Sequence, residues 1–183
     1  MLSSGAWLPA MRRYFAGIAV GNLVWEVAQM PLYTLWRTGS MAAITFAVVH
    51  CTAGDVLITG ASLVGSLLFF GVADWPHGHF RSVAAMTVAL GIAYTIYSEH
   101  LNTAREAWTY SELMPVLPGL GTGLAPLAQW IVVPTLAFCA MRSAVWSESR
   151  ARKAEKDLDL LIVASTTSSL GSGRSNPIVR RAS

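Results

Sequence analysis

The chain has 183 residues, 54% hydrophobic and only 13% charged, with a net charge of +3. Soluble domains carry about 25% charged residues, so the composition argues against an ordinary soluble enzyme and for one membrane-embedded unit. Basic residues gather before the first apolar run and after the last, without a basic stripe of interleaved aromatics, which argues against nucleic acid as a partner.

Four apolar runs, roughly 14–36, 44–72, 80–101 and 124–146, reach the length of about 20 residues that a spanning helix needs. The expected fold is all-α: an integral membrane bundle of four transmembrane helices over residues 14–146, with an outer loop at 103–123. Residues 1–13 form a cytoplasmic segment, and 147–183 read as a disordered cytoplasmic tail. Trp36, Trp75, Trp108 and Trp146 lie at or beyond run ends, where amphipathic rings prefer the headgroup layer.

The start has a basic segment and an apolar run, as a signal peptide does. Asn22 and Glu26 interrupt that run, however, and no small-x-small cleavage site follows, so an uncleaved first span is expected. Met11, before Arg12–Arg13, is an alternative start. Within the run, Asn22, Glu26, Gln29 and Tyr33 recur at helical spacing and form one polar stripe. A burial-tolerant amide can serve as interhelical glue, but a carboxylate in hydrocarbon costs several kcal/mol, on the order of 2.5–3.5 by insertion scales. Gly17 and Gly21 form a GxxxG pair for close helix contact, and Pro31 predicts a kink.

The second run carries His50-Cys51-Thr52-Ala53-Gly54-Asp55. Asp55 shares a face with Cys51, Thr59 and Ser62, whereas His50 lies off that line. Cys51 and Cys139 are expected at different depths on different spans, as small core residues without a disulfide. In the following turn, Asp74, His77 and His79 read as a solvated cluster rather than a metal site. The third run opens at Arg81 and ends with Glu99 and His100; Thr95, Glu99 and Asn102 share a face.

Beyond it, Arg105, Trp108 and Tyr110 suit a lipid headgroup layer, a phosphate-binding cation beside amphipathic rings. This segment could continue the helix, and the apolar stretch from Met114 to Gly123 could dip back into the bilayer. Its glycines are not a nucleotide loop, since no strand precedes them and the lysine is missing. The fourth run adds Gln129 and Pro134. The tail is charge-rich to Asp159, then has a short apolar patch, then Ser, Gly and Arg, consistent with disorder and one short surface helix.

With alternating orientation, Asn22, Glu26, Gln29, His50, Asp55, Glu99, His100, Asn102 and Gln129 share the middle and outer depth. That convergence predicts one polar cavity in the outer half of the bilayer, binding a small molecule, lipid headgroup or ion. Imidazole with carboxylate suits zinc or iron, with Glu26, His50, Asp55, Glu99 and His100 as candidate ligands. Neither Glu-x-x-His nor His-Glu-x-x-His occurs, so a bound metal is not favoured and the cofactor is left open. Two other readings use the same groups. One is a membrane-embedded enzyme acting on a lipid or isoprenoid by carboxylate/His acid–base chemistry; the other is a noncatalytic assembly subunit. An aromatic-lined opening favours the enzyme, and a fully self-paired polar layer without a void favours the subunit.

The runs NLVWEVAQMPLYTLWRTG, HCTAGDVLI, SEHLNTAREAWTYSELMP and LAPLAQWIVVP resemble an uncharacterised family of small multipass membrane proteins of bacteria. The resemblance covers the four-span core and leaves out the tail. It implies a bacterial inner-membrane location with membrane lipids as partners, and assigns neither activity nor catalytic residue.

Orientation follows from charge. Arg12, Arg13, Arg81, Arg142, Arg150, Arg152, Lys153 and Lys156 fall on one side of the alternating spans, and only Arg37 and Arg105 on the other. Topology reporters fused after Lys156 should therefore behave as cytoplasmic and those after Glu112 as external. A cytoplasmic reporter after Glu112 would reverse the orientation and the depth assignment together.

Overall fold

A computed structural model describes residues 7–70, 75–76 and 78–172, with side chains described over 8–70, 75–76 and 78–163. The described residues are helical apart from turns, connecting segments and two isolated bridges. Helices α1 (Trp7–Gln29), α2 (Leu35–Thr38), α3 (Met41–Phe70), α4 (Phe80–Ala104) and α5 (Leu124–Ser172) follow in chain order. Among the described residues, α3, α4 and α5 are long and apolar enough to cross a membrane. The 23 residues of α1 carry Arg12, Arg13, Asn22, Glu26 and Gln29, which lower its apolar character. The 30 residues of α3 measure about 45 Å at 1.5 Å per residue, more than the roughly 30 Å of a hydrocarbon core.

Two compact units are present, residues up to Ser143 and residues from Ala144. In the first, α3 packs against both α1 and α4. Close approach to α5 comes from glycines. A Cβ on Gly21 would fall 2.7 Å from Val133 Cγ1, and one on Gly17 would lie 3.5 Å from Ala137 Cβ. The GxxxG pair of α1 thus seats two residues of α5 four positions apart. Gly91 of α4 is tighter still, since a Cβ there would fall 2.0 Å from Trp130 Cε3. Near the Arg12 end, Tyr14 packs on Phe138 with ring centroids 4.5 Å apart, and the Arg142 guanidinium sits 5.1 Å over the Phe80 ring. Trp75 is buried there rather than placed at a surface belt.

The burial pattern departs from that of a soluble protein, with polar groups buried among the apolar core and large apolar side chains exposed. Asn22, Glu26, Gln29, Thr59, Ser66, Thr87, Glu99 and Gln129 are buried, while Leu57, Leu68, Phe69 and Leu136 are exposed. Polar groups turn inward where they can pair, and apolar ones face outward, as lipid as solvent requires. On α3 and α4 the Ser66 and Thr87 hydroxyls meet at 3.1 Å.

The first apolar run is not one helix. Pro31 has no N–H, and its ring collides with the carbonyl four residues earlier, so α1 stops at Gln29. A 3-10 turn over Met30–Leu32 follows, and Tyr33 is extended (φ −111°, ψ 148°) before α2. The helix of the third run ends at Ala104, with Glu106 in the left-handed region at φ 55°, so no helical continuation forms. The segment beyond folds onto the α1–α3 connection. Tyr33 bridges Tyr110, Thr34 N–H donates to Thr109 O at 3.0 Å, and Ser111 N–H donates to Leu32 O at 2.8 Å. Met114 packs with Met30, Tyr33, Ile44 and Val48 in a small apolar cluster.

In the second unit, helix continues to Ser172, and Arg152 pairs with Glu148 one turn away at 3.9 Å. Helical structure therefore extends into the segment read from composition as a tail. Residues 173–183 lie outside the described residues, as do Asp74 and His77 of the expected turn cluster.

Gly91→Ala should destabilise the bundle by about 1–3 kcal/mol, the usual cost of overpacking, because the rigid indole must shift. Gly65→Ala, where the nearest atom is 3.9 Å away, should leave thermal unfolding in detergent unchanged. Equal unfolding temperatures for the two variants would refute this packing.

Candidate functional site

The polar stripe of α1 meets α3, α4 and α5 around a cavity of about 330 Å³. Glu26 and Gln29 contribute from α1, with Tyr33 just beyond it. His50, Cys51, Gly54 and Asp55 come from α3; Tyr94, Thr95, Ser98, Glu99 and Asn102 from α4. Trp108 comes from the connecting segment, and Gln129 and Trp130 from α5. Among the described residues, no Lys or Arg lines it.

Gln129 organises one wall. Its Nε2 lies 2.8 Å from Asp55 Oδ2, 2.9 Å from Asn22 Oδ1 and 3.1 Å from Glu26 Oε1. Two amide hydrogens thus serve three acceptors from two other helices. Gln29 Nε2 donates to Glu26 Oε1 at 2.9 Å and reaches Gln129 Oε1 at 3.3 Å. The Glu26 and Asp55 carboxyl groups therefore meet at the same Gln129 nitrogen. The spacing of Asn22, Glu26 and Gln29 puts all three on the inward face of α1, which is why one amide can gather them.

Glu99 lines the cavity from α4 and is held from behind by Tyr110. The Tyr110 hydroxyl donates to Glu99 Oε2 and accepts the Gly123 N–H at 3.0 Å. Burial, and then the adjacent Glu99 carboxyl, push the Tyr110 phenol well above the ordinary tyrosine range, so it remains a donor at physiological pH. The Trp108 indole N–H is buried and, among the described residues, has no hydrogen-bond partner.

One acceptor of the first wall is unused. Gln29 is 5% exposed, and among the described residues its Oε1 has no partner. A buried amide oxygen left unpaired costs about 1–3 kcal/mol.

Of the residues singled out in the sequence, Glu26, Gln29, His50, Asp55, Glu99, Asn102 and Gln129 line this one cavity. Asn22 is buried behind it, bonded to Gln129. His50 is exposed at its edge, its ring stacked on Phe46 at 5.4 Å. His100 and Arg105 are exposed and do not line it. Trp108 and Tyr110, read as headgroup anchors, instead close the Glu99 side. Among the described residues, no three His, Cys, Asp or Glu side chains converge as metal ligands would. Tyr94 and Trp130 were not singled out in the sequence. Gly91 was the available signal for Trp130, since a glycine within a long helix marks a place where a large side chain rests on the backbone.

No family model, curated protein or solved structure matches the chain.

Tyr110→Phe removes the donor to Glu99 and the acceptor of Gly123 N–H while keeping the ring. It should destabilise the protein by about 1–3 kcal/mol and speed proteolysis within residues 105–123. Unchanged cleavage of that segment would show that the hydroxyl does not hold it.

Proposed function

We propose that the chain is a polytopic protein of a bacterial inner membrane, with α1 as a fourth span, both termini cytoplasmic and the cavity in the outer half of the bilayer. Its role is to bind a small polar molecule there. The observation that carries this reading is the cavity itself. Costly groups from four helices meet around a void and leave Gln29 Oε1 unpartnered, whereas an assembly subunit would pair them fully and close the space. A volume of about 330 Å³ falls within the roughly 300–1,000 Å³ typical of small-molecule sites. Three carboxyl groups, with Tyr94, Trp108 and Trp130 on the lining, also favour the second reading, acid–base catalysis on a substrate entering from the bilayer.

Cys51 reports on access, since it lines the cavity and is a free thiol. In a Cys139→Ser background, a membrane-impermeant thiol reagent added from outside should modify Cys51. It should not modify a cysteine at Leu57, which is 74% exposed on the apolar surface. Modification at residue 57 with Cys51 spared would overturn the water-accessible cavity.

A further inference from the structure

We propose that the group this cavity recognises is an ammonium that still carries N–H hydrogens, held by the carboxyl groups of Glu26, Asp55 and Glu99. The inference rests on the small-molecule reading above and names the chemistry of the occupant.

The lining is one-sided in charge. Glu26 faces the space from α1, Asp55, His50 and Cys51 from α3, Glu99 from α4, and Tyr33 from the α1–α2 connection, while Gln129 comes from α5. His50 sits at the exposed edge, so the carboxyl groups dominate the interior. Three carboxyl side chains line the space, and among the described residues no Lys or Arg does, so the lining offers acceptors and a counter-charge to a cation and no fixed counter-charge to an anion.

Shape and hydrogen bonding narrow the class. The volume is that of roughly ten water molecules at about 30 Å³ each, too large for a bare monatomic ion held by side chains alone. The acids also do not converge as metal ligands among the described residues. Tyr33, Tyr94, Trp108 and Trp130 line the same space, and aromatic rings attract organic cations. Carboxyl oxygens accept hydrogen bonds, which a primary or secondary ammonium supplies and a quaternary one does not. The ammonium could arrive as a free amine or as the headgroup of an aminophospholipid.

The test uses the full chain in phosphatidylglycerol bilayer discs at pH 7, with four probes: n-butylamine, tetramethylammonium, 1-butanol and butyrate. Binding is read by Trp fluorescence and by slowed modification of Cys51. Butylamine should bind best. Asp55→Asn and Glu99→Gln, near-isosteric and able to keep hydrogen bonds, should each weaken it about tenfold or more, the range for hydrogen bonds to charged groups. Thermal unfolding of each variant confirms that it is folded, and a variant that does not fold leaves the other to decide. Butanol or butyrate protecting Cys51 as well as butylamine does would overturn the ammonium class and keep the small-molecule site. Tetramethylammonium binding as tightly as butylamine would overturn hydrogen bonding of the ammonium to the carboxyl groups. A Cys51 that reacts from outside but is protected by no probe overturns the inference alone, and a Cys51 that is spared while residue 57 reacts overturns both readings. Discs containing phosphatidylethanolamine separate the sources. Protection of Cys51 by the lipid, with butylamine competing, assigns a headgroup, and equal butylamine affinity in both discs assigns a free amine; either result supports the ammonium.

Discussion

The side-chain amide of Gln129 joins α1, α3 and α5 at one point. Its nitrogen reaches Asn22, Glu26 and Asp55 between 2.8 and 3.1 Å. In water such a hydrogen bond contributes little, because solvent offers the same partners. In an apolar bundle the alternative partner is missing, and a carboxylate facing lipid is far costlier than one facing an amide. The rotation of each helix about its axis is thereby fixed: turning α1 or α3 by a third of a turn would send Glu26 or Asp55 outward. The apolar outer faces follow from that same rotation rather than needing separate specification.

Close approach is the second constraint. Hydrophobic burial does not hold helices together in lipid, so contact depends on shape and on polar pairs. Gly17, Gly21 and Gly91 remove side chains where Ala137, Val133 and Trp130 must fit. The Ser66–Thr87 contact does the same work between α3 and α4 with hydroxyls. These short distances bring the carboxyl groups of three helices within reach of one space.

Much of this was legible in the sequence for one reason: a polar residue in a long apolar run has few places to go. Glu26, Gln29, Asp55, Glu99 and Gln129 could be assigned to a common layer because helical spacing and alternating direction fix both face and depth. Pro31 was read as a kink, but a missing N–H followed by an extended Tyr33 gives a chain break and a bridge to Tyr110, which periodicity does not encode. His100 follows Glu99 directly, so it turns about 100° away and faces outward; adjacency in sequence was a poor guide to sharing a site. Tyr110 was read as a headgroup anchor, and nothing in the sequence marked its bond to Glu99. Its role depends on how residues 105–123 fold back, and that segment has neither helical period nor charge pattern. The helix from Ala144 to Ser172 was under-read because charged Glu, Lys, Arg and Asp favour both a solvated helix and a coil.

Trp130 belongs to two structures at once. Its indole fills the notch at Gly91 and also forms part of the cavity wall. Helix spacing and cavity width are therefore one mechanical variable. An occupant that presses on the indole loads the α4–α5 contact, and any loosening of that contact opens the wall. Occupancy and bundle tightness are then thermodynamically linked, and a molecule that binds the tight form lends the whole assembly stability in proportion to the logarithm of its concentration. Under the small-molecule reading proposed above, such a bundle would register its occupant as a change in its own rigidity.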